Sequence, residues 1–284
     1  MHSVDLHCHS TYSDGLLAPA QVVQRAAANG VRMLALTDHD ETGGLAEARA
    51  AALECGITLI AGVEISVSWA ELTLHVVGLD IAAEDEGLRG GLAQIRAGRI
   101  ERAQRIAAEF DRIGIRGSLA GARGYSANPD MLGRTHFARF LVERGIAKDV
   151  KSVFRSYLNA GKPGHVAHHW ASLAQALQWI AGSGGVAVLA HPARYRLSAT
   201  AMRRLLAEFK SGGGRALEVI SASHTAQQQR TIAGYARQFD LQASAGSDFH
   251  GPGESYHDIG GLADLPEGCV PVWSNWANGA DHAH

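Results

Sequence analysis

Two histidines one residue apart close the first apolar run of the chain, Val4-Asp5-Leu6-His7-Cys8-His9-Ser10, and a carboxylate follows at Asp14 after a short polar turn. In an extended strand, residues i and i+2 lie on the same side. His7 and His9 can therefore reach one metal ion together, with Asp14 leaning back toward the same mouth. Metal-capable side chains recur along the later apolar runs: His39, Glu64, His75, His191, Asp248 and His250. Singly, each has an ordinary explanation as a surface histidine, a capping acid or a turn aspartate. Together, nine such donors at nearly every strand end are hard to obtain by chance, and they exceed what one ion takes. Mixed imidazole and carboxylate donors suit Mn²⁺, Fe²⁺ or Zn²⁺ rather than the all-oxygen shell of Ca²⁺. With Glu64 bridging, the set fits two or three ions. Asp38 and Asp40 flank His39 and read as supporting or turn residues, because metal-bound imidazoles commonly donate their other N–H to a carboxylate.

The elements that must position these residues alternate. Helical patterns at Pro19–Asn29 and Leu45–Cys55 separate apolar strands at Val31–Leu36 and Ile57–Glu64, and a further strand follows at Leu72–Leu79. The alternation stops at about Glu84 and resumes after His169, with helices at Leu173–Ala181, Ala201–Phe209 and Ala226–Phe239 and strands at Gly185–Ala190, Ala216–Ile220 and Leu241–Ala245. This rhythm predicts parallel βα units, whose strand carboxyl ends share one face. Between the two halves, Ile100, Ala103, Ile106, Ala107, Phe110 and Ile113 fall at helical spacing. A glycine-rich loop over 117–128 and further short helices follow. We expect residues 1–83 and 170–284 to form the barrel and residues 84–169 a mainly helical insertion. The tail from Gly251 is turn-rich, and residues 278–284 carry no pattern.

The net charge of −2 hides an asymmetry. From Arg89 to Lys162 there are 15 Lys/Arg against 6 Asp/Glu, and elsewhere 11 against 22. A basic segment set into an acidic body suggests an anionic partner held beside the metal-binding frame. No long apolar run suggests a membrane span. The start leads straight into a strand, and the three scattered cysteines do not suggest a disulfide framework. The cytoplasm is the expected location, and no obligate protein partner is evident.

The ordered motifs Asp5-Leu6-His7-Cys8-His9-Ser10 with Asp14, Thr37-Asp38-His39-Asp40, Gly62-Val63-Glu64, His191-Pro192 and Gly246-Ser247-Asp248-Phe249-His250 resemble the PHP family, named for polymerase and histidinol phosphatase. The resemblance covers the chain apart from its tail. It implies an α/β fold, a distorted (β/α)7 TIM-like barrel, and a metal-dependent phosphoesterase with two to three divalent ions, Mn²⁺ foremost. By the same resemblance, His7, His9, Glu64 and Asp248 would hold one ion. Glu64, His75 and His191 would hold a second, and Asp14, His39 and His250 a third. His191 and Asp248 are also the catalytic candidates, His191 as one route for protonating the leaving oxygen.

A helical insertion after the fourth strand looks like one branch of that family. The branch contains phosphatases of nucleoside 3′,5′-bisphosphates and an exonuclease that trims RNA from its 5′ end. The insertion motifs Gly133-Arg134-Thr135-His136-Phe137-Ala138 and Gly161-Lys162-Pro163-Gly164-His165-Val166 look like its substrate elements. Arg134 is the leading phosphate clamp, since guanidinium offers a bidentate fork. His136, Arg194 and Lys162 are the other substrate-binding candidates. The expected partner is a phosphorylated nucleoside or a short RNA. Histidinol phosphate does not call for so basic an insert, and a non-catalytic module does not call for so complete a ligand set.

Overall fold

A computed structural model describes residues 4–274 and 276. The first half comprises β1 (Val4–Asp5), α1 (Pro19–Ala28), β2 (Met33–Leu36), α2 (Leu45–Cys55), β3 (Thr58–Trp69) and β4 (Leu72–Leu79). Then come α3 (Glu86–Arg112), α4 (Ser118–Arg123), α5 (Arg134–Glu143) and α6 (Val150–Val153), which runs into a π turn at Phe154–Leu158. The chain continues through β5 (Ala171–Ser172), α7 (Leu173–Gly182) and β6 (Val186–Leu189). A 3₁₀ turn (Pro192–Tyr195), α8 (Ala199–Ser211), β7 (Ala216–Ser221), α9 (Ala226–Gln238) and β8 (Gln242–Gly246) follow.

Local chemistry sets many of these boundaries. Proline opens α1, where its missing N–H costs nothing, and Gly56 stops α2 at φ +68°. Asp85 caps α3 by accepting from the Leu88 amide at 2.8 Å. Ser172 with Gln175, and Thr225 with Gln228, form reciprocal capping boxes on α7 and α9.

The strands run in the order β1-β2-β3-β4-β6-β7-β8, with β5 paired only to the far end of β3. The sheet nearly closes: Leu6 N–H donates to Ala245 O at 2.9 Å, and Cys8 bridges Phe249 in parallel. Near the start of β8 the tail takes part: Ala243 N–H donates to Val270 O at 2.8 Å, and Val272 N–H donates to Ala243 O at 2.9 Å. The unpatterned residues 278–284 lie outside the described residues.

The expectation of uniformly parallel units is corrected at one place. β3 and β4 form an antiparallel hairpin, and β4 is antiparallel to β6 as well. Only Ala70 and Glu71 join β3 to β4, both at positive φ (44° and 64°), whereas a parallel crossover needs a dozen residues or more. Glu64 and His75 therefore sit within strands rather than at strand ends. Ser66 pairs with His75, and both carboxylate and imidazole keep the inward parity of Val77 and Leu79.

Inward residues from successive strands, including Leu6, Ala35, Ile60, Val77, Val188 and Ala216, fill the barrel interior below the mouth. Outward residues of β3 pack with α7 and α8, and those of β2 with α1 and α2. The long helix α3 serves two clusters. Leu88, Leu92 and Ile95 join the barrel's outer layer, whereas Ala103, Ile106, Ala107 and Phe110 pack with Phe137, Leu141 and Leu158. The predicted loop over 117–128 contains α4, whose Ala122 is buried in that second cluster.

Candidate metal centre

All nine sequence-derived donors converge on one rim. Glu64, fully buried in β3, is the hub. Its Oε1 lies 2.8 Å from His75 Nδ1, 3.1 Å from His191 Nε2 and 3.3 Å from His7 Nε2. Its Oε2 lies 2.7 Å from His39 Nδ1 and 3.5 Å from His9 Nε2. Asp248 Oδ1 is 3.2 Å from His9 Nε2, and Asp14 Oδ1 is 3.3 Å from His250 Nε2 and 3.7 Å from His39 Nε2. Three overlapping groups have donor atoms within 4.8 Å of one another: His7, His9 and Asp248; His39, Glu64 and His75; and His9, Asp14, His39 and His250. Grouped by distance, His39 stands with Glu64 and His75 as well as with Asp14, so the partition into three ligand sets is less sharp than the resemblance implies.

These residues fit divalent cations on two counts. The rim mixes imidazole and carboxylate donors, and six of their buried polar atoms make no hydrogen bond: His7 Nε2, His9 Nδ1, Asp14 Oδ1, His39 Nδ1, Glu64 Oε2 and His191 Nδ1. Buried polar groups are rarely left unsatisfied, so such a cluster marks a site built for ligation.

Electrostatics reinforce this. Burial pushes the carboxyls upward, but facing imidazoles overcome it and hold Asp14, Glu64 and Asp248 well below the usual range. Burial, then His250 and His39, pushes His9 down to about 3. Burial, then Arg194, pushes His191 to about 3 as well. Both rings are thus held neutral, the form a ligand needs. Burial also opposes protonation of His7 and His250, but surrounding carboxylates win and hold both above the usual value, His250 near 9. Metal uptake would have to displace protons there.

One supporting group escaped the sequence reading, and two expected there find their partners. Glu218 on β7 is buried and accepts from His7 Nδ1 at 3.1 Å and from the His191 amide. Its only sequence signal is an acid inside an otherwise apolar strand. Asp38 accepts from Ser10 N, Ser10 Oγ and Ser13 Oγ at 2.6–2.7 Å, fixing the first loop. Asp40 accepts from Ser66 and is paired to Arg99 of α3. Neither acid takes the His39 ring N–H, so both support the backbone rather than that imidazole. His191 and Asp248, both in the rim, occupy left-handed backbone at φ 29° and 52°, a strained conformation for residues other than glycine.

The insertion leans on the mouth directly. Thr135 Oγ1 donates to Asp14 Oδ2 at 2.9 Å, and Arg139 grips Glu254 and the Asp14 carbonyl. Of the substrate candidates, Arg194 donates to Asp248 Oδ2 at 2.6 Å. Arg134 lies over the Phe154 ring, within electrostatic reach of Asp14 and Arg194. His136 is buried and spends Nδ1 accepting from the Gly133 amide at 3.0 Å, which makes it a helix cap. Lys162 is exposed, and its ammonium makes no hydrogen bond or ion pair with the described residues.

Residues 5–222 match the model of the PHP domain. The chain belongs to the PHP family. A 3′,5′-nucleoside bisphosphate phosphatase of Chromobacterium violaceum is 50% identical over 273 residues, 96% of each chain. The 5′-3′ exoribonuclease Rnm of Escherichia coli is 43% identical over 274 residues, 96% of this chain and 93% of that one. Among solved structures, a Chromobacterium violaceum protein described as an amidohydrolase, with bound sulfate and no metal, superposes with a TM-score of 0.93 at 50% identity. That match covers 95% of this chain and 94% of the other. A Bifidobacterium adolescentis structure assigned to the metal-dependent phosphoesterases matches at TM-score 0.80 and 27% identity, over 95% and 92% of the two chains. The PHP fold expectation holds, with the antiparallel hairpin as its distortion. Among the described residues no helix is long and apolar enough to cross a membrane.

Proposed function

We propose that this PHP protein is a metal-dependent phosphoesterase that removes the 3′-phosphate of nucleoside 3′,5′-bisphosphates, releasing inorganic phosphate. The carrying observation is the buried rim of nine imidazole and carboxylate donors, read beside the 50% identity to the bisphosphate phosphatase. His7, His9, Asp14, His39, Glu64, His75, His191, Asp248 and His250 would hold two or three divalent ions, with Mn²⁺ the leading choice. When bound, such ions acidify water and neutralise phosphoryl charge.

The chain's own groups do the rest. Glu218 fixes the His7 ring with Nδ1–H toward the carboxylate, so that Nε2 faces the rim. Arg194, already on Asp248, and Arg134 beside it offer guanidinium forks to phosphate oxygens. Thr135 fixes the Asp14 carboxylate, and the barrel floor of Leu6, Ala35, Ile60 and Val77 keeps water out from below. Residues 84–169 act as a substrate-binding subdomain set into a barrel of residues 1–83 and 170–284. The separate apolar cluster around Phe110 and Phe137 supports that division.

The second reading is a 5′-3′ exoribonuclease, favoured by the Rnm relative and by the basic insertion. One assay decides between them. Metal-loaded protein is given 3′-phosphoadenosine 5′-phosphate and, separately, a 5′-phosphorylated oligoribonucleotide. Phosphate release from the first, without trimming of the second, supports the phosphatase. Sequential release of mononucleotides supports the nuclease, and hydrolysis of neither removes both.

A further inference from the structure

Asp14 and His250 are the donors carried out past the barrel. A parallel bridge joins Cys8 to Phe249, and Asp14 lies in the turn beyond the first of these while His250 follows the second. The other donor groups rest on backbone pairing. His39 bridges Glu64, His75 lies within the β3–β4 hairpin, and the Asp248 amide donates to His7 O at 2.8 Å. The loops of Asp14 and His250 share a backbone bond from Leu16 N–H to His250 O at 2.6 Å, and their side chains face each other, Asp14 Oδ1 to His250 Nε2, at 3.3 Å.

What holds the two loops in place comes from the insertion. Arg139, in the second turn of α5, is only 6% exposed. Its Nε and Nη2 donate to Glu254 Oε1 and Oε2 at 2.9 and 2.8 Å, and Nη2 also donates to the Asp14 carbonyl at 2.6 Å. Glu254 belongs to the loop of His250. Its amide donates to Gly251 O at 3.3 Å, and Oγ of the neighbouring Ser255 accepts from the His250 and Gly251 amides at 2.7 and 3.2 Å. Thr135, one turn earlier on the same helix, holds the Asp14 carboxylate. A single helix therefore grips Asp14 at both its carbonyl and its side chain, and grips the loop of His250 through Glu254.

A two-pronged guanidinium–carboxylate pair fixes plane as well as distance, and burial leaves it few alternative partners. Arg25 and Asp258 give the contrast. They make the same fork between α1 and the segment after β8, with both contacts at 2.7 Å, but they are more than a third exposed and bond no rim donor. Arg139 bonds one directly. Of the three donor groups, the one formed by His9, Asp14, His39 and His250 contains both loop donors.

We infer that Arg139 and Glu254 are positioning residues for that group, so that one divalent position depends on the docking of α5 while the groups around Glu64 and His7 do not. This rests on the metal reading of the rim and adds that its positions are not equivalent. The insertion then contributes to metal loading through a pair that is itself no ligand.

The test reads metal binding step by step. Full-length protein stripped with chelator is titrated with Mn²⁺ by calorimetry, and free Mn²⁺ is counted by electron paramagnetic resonance. Wild type is compared with Arg139→Met, Arg139→Lys, Glu254→Gln, the Arg139→Met/Glu254→Gln double variant, and Arg25→Met as the matched ion pair. Melting curves of the metal-free forms screen for misfolding, and Arg139→Lys and Glu254→Gln carry the test if Arg139→Met does not fold. We expect Arg139→Met to weaken one binding step about tenfold or more and to leave the others within about twofold. Glu254→Gln weakens the same step, Arg139→Lys recovers part of it, and the double variant is no worse than Arg139→Met, because the pair acts as a unit. Arg25→Met changes no step. Equal weakening of every step, an unchanged titration in folded Arg139 variants, or the same loss in Arg25→Met overturns the inference. The Mn²⁺ concentration that half-saturates phosphate release should rise by a similar factor in Arg139→Met, and a loss of turnover that excess Mn²⁺ does not repair also overturns it. Failure of the metal reading looks different: the wild type itself binds no Mn²⁺, and the inference falls with it.

Discussion

Replacing Gly246 with alanine perturbs the metal rim by a single methyl group. A Cβ at this position would stand 2.2 Å from His7 Cβ, 2.6 Å from Glu218 Oε1 and 3.1 Å from the His7 amide nitrogen. Carbon–carbon contacts are comfortable at about 3.5–4.0 Å, so the strand bearing His7 must retreat by roughly 1 Å or more. Gly246 does not occupy left-handed backbone, and alanine there should by itself gain about 0.4–1 kcal/mol through the unfolded chain. Overpacking costs about 1–3 kcal/mol, so the steric effect wins. The net loss corresponds to a fall in Tm of up to roughly 8 °C for a chain of this size. The larger effect falls on the site. His7 is displaced relative to Glu64 and Glu218 together, and disturbing such supporting contacts commonly costs about 10–100-fold in metal affinity. The assay is calorimetric titration of chelator-stripped protein with Mn²⁺, with melting curves of both forms. A folded Gly246→Ala variant that binds Mn²⁺ within twofold of wild type would refute the claim that this strand packing sets the rim.

Thr135→Val removes the donor to Asp14 Oδ2 while keeping shape. We expect the weakest step of the Mn²⁺ titration to weaken about tenfold, with at most about 1 kcal/mol lost from stability. An unchanged titration would separate the insertion from the metal site. Burial, opposed by Asp14 and reinforced by Arg139 and Arg99, pushes His136 down to about 4. The native state keeps this ring neutral, whereas the unfolded chain protonates it below about pH 6.5. Stability should therefore fall as pH drops from about 6.5 toward 4, by up to about 3 kcal/mol from this residue. His136→Gln, which can still accept from Gly133, should remove that portion of the slope in chelator-treated protein. Parallel denaturation curves at pH 7.5 and 5 for the two proteins would contradict it.

Much of the barrel was legible because its signals are local. Apolar runs, proline and glycine punctuation and capping residues mark α1, α2, α7 and α9 within a residue or two. The rim was legible because its donors are of unusual type and recur in register with those runs. The β3–β4 hairpin was not legible: Ala70 and Glu71 are poor turn residues by composition, and the apolar run continues past Glu64 to Trp69. Asp38 and Asp40 were legible as supporting residues but not in their partners, whereas Glu218 matters through His7 and His191, partners distant in sequence that no local pattern reports. The same holds for the tail, whose Val270–Val272 joins the barrel by pairing with Ala243 rather than by any periodicity of its own. His136 sat in a motif suggestive of substrate contact, yet its place three residues after Gly133 made it a cap.

Metal content is the most direct measurement. Protein purified without chelator after manganese-supplemented growth, analysed by mass spectrometry of the elements, should carry two to three transition-metal ions per chain. Fewer than one per chain, in folded protein, would contradict the assembly of these nine side chains as a metal centre.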